Sequence, residues 1–252
     1  MARPLTTLDV RLRRFPAAYV VLLGAAVGAV GVAPVAGATL SAVALLGAWA
    51  TRLPRYAGVL GLAPLTLAAG VPWPVPALLA VLLARAGGGR PDDGFVPSRT
   101  GPPVRMAAEV VVVAALCVPP AAALAALSLG NEHPVLSLAR PPVLLLGTVV
   151  VLAALVNATA EELFWRGWAM RLLAERGCRP RAVVGVQAVS FGAAHAAGIP
   201  GGVPGVIGAL GLGVVLGVLR MRAAGLTGCV AVHAAVDVTI FGMLAGRIVW
   251  VG

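Results

Sequence analysis

The stretch that decides the fold is PPVLLLGTVVVLAALVNATAEELFWRG, residues 141–167. It begins as an uncharged apolar run and ends in two adjacent carboxylates, Glu161 and Glu162, followed by Arg166. A helix needs about 20 apolar residues to cross a membrane, and residues 141–163 meet that length. A charged side chain at the centre of such a helix costs roughly 2.5–3.5 kcal/mol on insertion scales. The two glutamates therefore need polar partners that offset this cost, or they serve a function at this position.

The composition of the whole chain indicates an integral membrane protein. Of its 252 residues, 60% are hydrophobic and 11% are charged, and the mean hydropathy is +0.98. A soluble domain carries about 25% charged residues. The apolar runs lack the alternation of an outer-membrane barrel, so we predict an all-α, polytopic transmembrane helical bundle. About eight spans (seven to nine) are expected from residues 15–34, 38–51, 57–71, 73–86, 106–128, 141–163, 182–198, 203–219 and 226–246.

The basic residues indicate orientation in a membrane. The formal charge of +10 comes from arginines, since the chain has no lysine. Nearly all of these arginines fall on one side of the predicted spans, as the positive-inside rule describes. We therefore expect a multi-pass protein of the cell membrane with its N-terminus in the cytoplasm. The arginines would contact lipid headgroups, and nucleic acid is not expected as a partner.

A polar segment rich in Gly and Pro, residues 87–103, divides the chain. It predicts an N-terminal transmembrane region with a cytoplasmic linker, residues 1–104. Residues 105–252 form the second region, which carries the ionisable groups placed at membrane depth. Those groups are Glu161, Glu162, Arg166, His195, His233 and Asp237.

The spacing of these groups predicts that they converge. Glu162 and Arg166 are separated by four residues, as are His233 and Asp237, so each pair shares a helix face. Unpaired, four such groups would cost on the order of 10 kcal/mol in the membrane. A polar network that only locks helices together is one interpretation. Because Glu and His exchange protons readily, a catalytic site is the other.

Three short motifs resemble those of a known family. Glu161-Glu162-x-x-x-Arg166, Phe191-x-x-x-His195 and His233-x-x-x-Asp237 occur in that order on separate predicted spans. They resemble the motifs of the CPBP family, the CAAX-protease and bacteriocin-processing (Abi) intramembrane proteases, over roughly residues 140–246. The third family motif more often ends in Asn, so Asp237 is a departure. An ionised Asp cannot donate a hydrogen bond as Asn does.

The resemblance implies an intramembrane endopeptidase that acts on a peptide or membrane-anchored protein substrate. Glu161 would activate water with help from His195, and His233 and Asp237 would stabilise the oxyanion. Glu162 and Arg166 would brace the helix. Glu161, His195 and His233 could instead bind zinc as a metalloprotease does, so the family resemblance leaves the cofactor open between none and a divalent metal.

Two functions of other classes also fit the residues. Intramembrane Glu, His and Asp form proton relays in transporters, although all of these groups lie in one half of the chain rather than in paired repeats. A catalytically inactive membrane scaffold is the other alternative, and the intact set of glutamates and histidines argues against it. For Asp237, a neutral carboxyl that donates to the oxyanion and an ionised one that orients His233 both stay open.

Overall fold

The computed structural model describes residues 7–50, 75, 82, 103–128, 142–222 and 225–250. These residues are almost entirely helical and include no strand, which confirms the all-α prediction for this part of the chain. Apart from positions 75 and 82, the predicted spans 57–71 and 73–86 lie outside the described residues. The same holds for residues 87–102 of the predicted linker.

The described elements have the following order along the chain. They are α1 (Thr7–Val32), α2 (Pro34–Ala50), α3 (Pro103–Ser128), α4 (Val143–Glu162), a π-helical segment (Leu163–Ala169), α5 (Met170–Glu175), α6 (Pro180–Ala194), a 3₁₀ turn (His195–Ala197), α7 (Gly202–Arg222) and α8 (Gly225–Trp250).

Four of the described helical stretches are long and apolar enough to cross a membrane. They are Val104–Leu127, Val143–Glu175, Gly202–Arg222 and Gly225–Gly246. Pro16–Val30 and Val35–Leu46 are shorter apolar helices. This result supports a membrane protein, whereas the total of about eight spans stays a prediction.

The helix limits differ from the sequence prediction at two places that matter for the site. The span predicted at 141–163 continues through the π-helical segment and α5 to Glu175. The span predicted at 182–198 is shorter, since α6 ends at Ala194 and a 3₁₀ turn follows. The sequence after that turn, GIPGG at 198–202, contains residues that favour turns over helix.

The packing of the helices puts the core around the π-helical segment. Helix α6 packs between α1 and α7, while α8 packs against α3 and α4. Large aromatic side chains fill the centre of this arrangement: Tyr19, Phe164, Trp165, Trp168 and Phe191. The first turns of α4, by contrast, expose Val143 and Leu144. Such an apolar outer face, at the uncharged start of the helix, suits contact with lipid.

Helix α1 approaches the backbone of α6 closely through two glycines. A Cβ atom at Gly24 would collide with the carbonyl oxygen of Ser190, and one at Gly28 with that of Ala193. The Ser190 hydroxyl also donates a hydrogen bond to the carbonyl of Val20 on α1. The contact at Ala193 lies just before the 3₁₀ turn that begins at His195. Helix α1 therefore supports the end of α6.

We expect Gly28→Ala to destabilise the protein by about 1–3 kcal/mol, the usual effect of overpacking a close contact. The reason is that a backbone carbonyl, unlike a flexible side chain, cannot move aside without displacing α6. Unfolding by titrated denaturing detergent in mixed micelles measures the change. Gly147→Ala on α4 is the matched control, because a Cβ there meets nothing within 4 Å. Equal stability of the two variants would contradict the close α1–α6 packing.

Candidate active site

The first two site carboxylates lie where α4 changes to a π-helix. Helix α4 ends at Glu162, and the π-helical segment Leu163–Ala169 follows. All but the first residue of this segment are buried. Single π-helical turns inside α-helices occur frequently at functional sites. The segment carries Arg166 and three buried aromatic side chains, Phe164, Trp165 and Trp168.

Glu162 joins Arg166 to His233. Its Oε1 atom accepts a hydrogen bond of 2.8 Å from Arg166 Nη1, and both side chains are completely buried. The same oxygen lies 2.7 Å from His233 Nδ1. A carboxylate oxygen only accepts, so His233 donates through Nδ1 and turns Nε2 toward the other site residues. The predicted Glu162–Arg166 pair is confirmed, and Glu162 also orients a histidine.

His195 lies at the C-terminal end of α6, where the helix stops. Its Nδ1 atom is 2.9 Å from the carbonyl oxygen of Phe191, which only accepts, so Nδ1 is the donor. Its Nε2 atom lies 3.9 Å from Glu161 Oε2. The α-helix ends just before this residue, and the His195 ring lies near Glu161 of α4.

Glu161 is the point on which the two histidines converge. Its Oε2 atom lies 3.6 Å from His233 Nε2, in addition to the 3.9 Å approach of His195 Nε2. The side chain of Glu161 is 7% exposed. The structure therefore brings Glu161, His195 and His233 together from α4, the 3₁₀ turn and α8, as the spacing predicted.

Asp237 lies beside His233 and makes a bond that the sequence did not suggest. Its Oδ1 atom is 3.5 Å from His233 Nε2. Its Oδ2 atom accepts a hydrogen bond of 2.9 Å from the side-chain amide of Asn157. Asn157 is on α4, one turn before Glu161. A polar residue four positions from a site glutamate, inside an apolar run, was the signal that could have identified it.

Phe191 forms the wall between these groups. Its ring centroid lies 4.5 Å from that of His195 and 5.8 Å from that of His233. The Arg166 guanidinium lies over the same ring, 4.3 Å from the centroid, in a cation–π contact. The sequence placed Phe191 on one helix face with His195 without assigning it a role. In the structure it is an apolar surface that holds three charged or titratable groups apart.

A cavity of about 340 Å³ opens beside the site. His195, His233 and Asp237 contribute polar groups to a lining that is otherwise mostly apolar. Leu116 on α3 and Ile207 on α7 line the cavity and are also exposed on the outside of the bundle. The cavity therefore reaches the apolar outer surface between these two helices.

Glu161, His195 and His233 are the residues suggested as zinc ligands, and a metal at this position stays a prediction. Zinc ligands lie about 2.0–2.2 Å from the metal, so neighbouring ligand atoms are separated by roughly 3.3–3.6 Å in a tetrahedral site. Glu161 Oε2 is 3.6 Å from His233 Nε2 and 3.9 Å from His195 Nε2. Within the described ranges, no three His, Cys, Asp or Glu side chains are arranged to hold a metal ion.

Comparison with known proteins gives one match. Residues 143–239 match the family model described as type II CAAX prenyl endopeptidase Rce1-like. This segment contains all three motifs and Asn157, and the match confirms the predicted resemblance to CAAX proteases. It supports a peptidase of the CAAX-type intramembrane class at the level of the family. No curated protein and no solved structure matches the chain.

Proposed function

We propose that this protein is an intramembrane endopeptidase that hydrolyses a peptide bond with water activated by Glu161 and His195. One observation carries the proposal: Nε2 atoms of two histidines, on different helices, face the same carboxylate oxygen of Glu161. A buried carboxylate next to the ring nitrogens of His195 and His233, which themselves line the apolar cavity, is an arrangement suited to proton transfer.

The proposed hydrolysis begins with a water molecule between Glu161 and His195. His195 Nε2 accepts a hydrogen bond from the water, since Nδ1 already carries the proton that it donates to Phe191. Glu161 takes one proton as the water oxygen bonds to the carbonyl carbon of the substrate. The protonated Glu161 then gives that proton to the departing amine as the C–N bond breaks. The products are a new carboxyl terminus and a new amino terminus.

His233 would stabilise the oxyanion that forms during this reaction. The proposal requires its doubly protonated form, which donates through Nδ1 to Glu162 and has an Nε2–H for the oxyanion. Glu162 holds the ring from behind with a 2.7 Å contact, and Arg166 balances the charge of Glu162. A donor held in place in this way stabilises the negative charge that develops on the substrate oxygen in the transition state.

The substrate would reach the site from within the membrane. Because the cavity extends to the apolar surface at Leu116 and Ile207, an apolar peptide segment or a lipid-anchored chain can enter without crossing water. We infer that the protein resides in the cell membrane with its N-terminus in the cytoplasm, because its arginines follow the positive-inside pattern. Peptides or membrane-anchored proteins are therefore the proposed substrates.

The experiment uses purified protein in liposomes and two labelled probes. One is a prenylated peptide with a C-terminal CAAX sequence, the substrate type in the matched family's description. The other is an unmodified transmembrane peptide. Mass spectrometry in ¹⁸O-labelled water should find one ¹⁸O atom in the new carboxyl terminus of a cleaved probe. Cleavage of neither probe, under conditions where the protein is folded, would contradict the proposal.

We expect cleavage to persist after removal of divalent metal. The reason is mechanistic, since the proposed reaction activates water with Glu161 and His195 and passes no step through a metal. Activity is measured after dialysis against 1,10-phenanthroline and compared with a mock-dialysed sample. A loss of activity that added zinc restores would show that the site closes around a metal and would overturn the metal-independent mechanism.

A further inference from the structure

The side chain of Asn157 connects two helices of the site. Its amide nitrogen donates a 2.9 Å hydrogen bond to Asp237 Oδ2, between residues 80 positions apart. Asn157 is on α4 and Asp237 is on α8. Asn157 is half-buried, and Asp237 is buried. A hydrogen bond to a charged acceptor in such surroundings is stronger than one between neutral groups.

This bond determines which way the Asp237 carboxylate is turned. With Oδ2 held by Asn157, Oδ1 is directed to His233 Nε2 at 3.5 Å. On the other side of the same ring, Glu162 holds Nδ1. The imidazole of His233 is therefore held at Nδ1 by Glu162 of α4. At Nε2 it faces Asp237, whose carboxylate is bonded to Asn157 of the same helix. The direction of the amide bond makes Oδ2 of Asp237 an acceptor, and we adopt the interpretation in which an ionised Asp237 orients His233.

We propose that Asn157 is a positioning residue of the active site. Its amide fixes the carboxylate of Asp237 and, through that carboxylate, the Nε2 atom of His233 relative to Glu161. The proposal rests on the hydrolytic function proposed above. It assigns to Asn157 no contact with substrate, and Asn157 is not among the described residues that line the cavity. A change at Asn157 should therefore alter kcat much more than KM.

A mutant cycle separates this role from simple helix packing. Asn157→Leu removes the amide at similar volume, and we expect kcat to fall about 10-fold with KM nearly unchanged. Asn157→Asp should lose at least as much activity, since two carboxylates would then face each other. Asp237→Asn alone should also lower kcat, because the charge that orients His233 is lost.

The decisive variant exchanges the two groups. In Asn157→Asp with Asp237→Asn, the amide is on α8 and the carboxylate on α4, so the hydrogen bond can form again with its direction reversed. The new amide oxygen can still accept from His233. We expect the double variant to have at least five times the kcat of Asn157→Asp, which is the non-additivity that residues in contact show. Thr148→Val is the control for an exposed polar side chain on the same helix.

Each outcome decides the proposal. Wild-type kcat in Asn157→Leu would overturn it. The proposal would also be overturned if the loss of kcat in each variant followed its loss of free energy of unfolding and the double variant did not restore kcat. That result would indicate packing alone. Glu161→Gln is measured in the same assay to separate this proposal from the proposed function. If Glu161→Gln is inactive and Asn157→Leu is fully active, the positioning role alone fails; if Glu161→Gln is active, the hydrolytic mechanism fails.

Discussion

Glu161→Gln should lower the rate of substrate cleavage by about 100-fold or more, the usual contribution of a general base. Glutamine has nearly the shape of glutamate, so the helix and its contacts with His195 and His233 can persist. It cannot take a proton from water at neutral pH, because its amide is not basic. The measurement is the initial rate of probe cleavage in liposomes, at equal amounts of folded protein.

The same substitution at another glutamate is the control. Glu109 lies on α3 and is partly exposed, so Glu109→Gln changes an intramembrane glutamate without touching the site. We expect Glu109→Gln to cleave at the wild-type rate. His195→Ala should lose activity to an extent comparable with Glu161→Gln, since the His195 ring is proposed to help activate the same water. Wild-type activity in Glu161→Gln would exclude Glu161 as the base.

The sequence was sufficient to identify most of the site because membrane burial makes polar groups conspicuous. Glu161, His195 and His233 stand in apolar surroundings, and their cost in lipid requires that they meet. The periodicity of the helix then predicted the Glu162–Arg166 pair, which the structure contains at 2.8 Å. The end of α6 at Ala194 could also be anticipated, since the glycines and proline after His195 do not continue a helix.

The π-helical segment could not be predicted in the same way. Leu163–Ala169 has the composition of an ordinary apolar helix. Phe164 and Trp165 lie in one buried cluster with residues of α1 and α6, and packing between such distant segments cannot be deduced from the local sequence. The spacing of an α-helix correctly predicted that Arg166 pairs with Glu162. It did not predict that the helix widens to a π-helix here.

Two further features depend on contacts between distant parts of the chain. Asn157 and Asp237 are 80 positions apart, and no periodicity relates residues on different helices. Helix α1 is outside the segment that matches the family model, yet Gly28 lies against Ala193 at the end of α6. The predicted division at residue 104 separates α1 from the predicted catalytic region in sequence. In the structure, α1 packs directly against the helix that presents His195.

Arg166→Met should lower the free energy of unfolding by about 3–5 kcal/mol, as expected when one partner of a buried ion pair is removed. Both side chains of the Glu162–Arg166 pair are 0% exposed. Without the guanidinium, the carboxylate of Glu162 is left with His233 as its partner at 2.7 Å. The cation–π contact over Phe191 is lost as well. Unfolding in mixed micelles with a denaturing detergent measures the change, and cleavage should fall with it because Glu162 orients His233.

The chain contains a matched control two turns further along the same helical stretch. Arg171 and Glu175 form another i, i+4 pair at 2.7 Å, but their side chains are 30% and 38% exposed. Exposed pairs contribute about 0–1 kcal/mol, so Arg171→Met should change stability little. Arg166→Met combined with Glu162→Gln should recover part of the stability, because the uncompensated charge is removed while glutamine can still accept from His233. If Arg166→Met were no more destabilising than Arg171→Met, the Glu162–Arg166 ion pair would not be the interaction that offsets the cost of burying Glu162. Another contact in the site would then have to hold His233 in place.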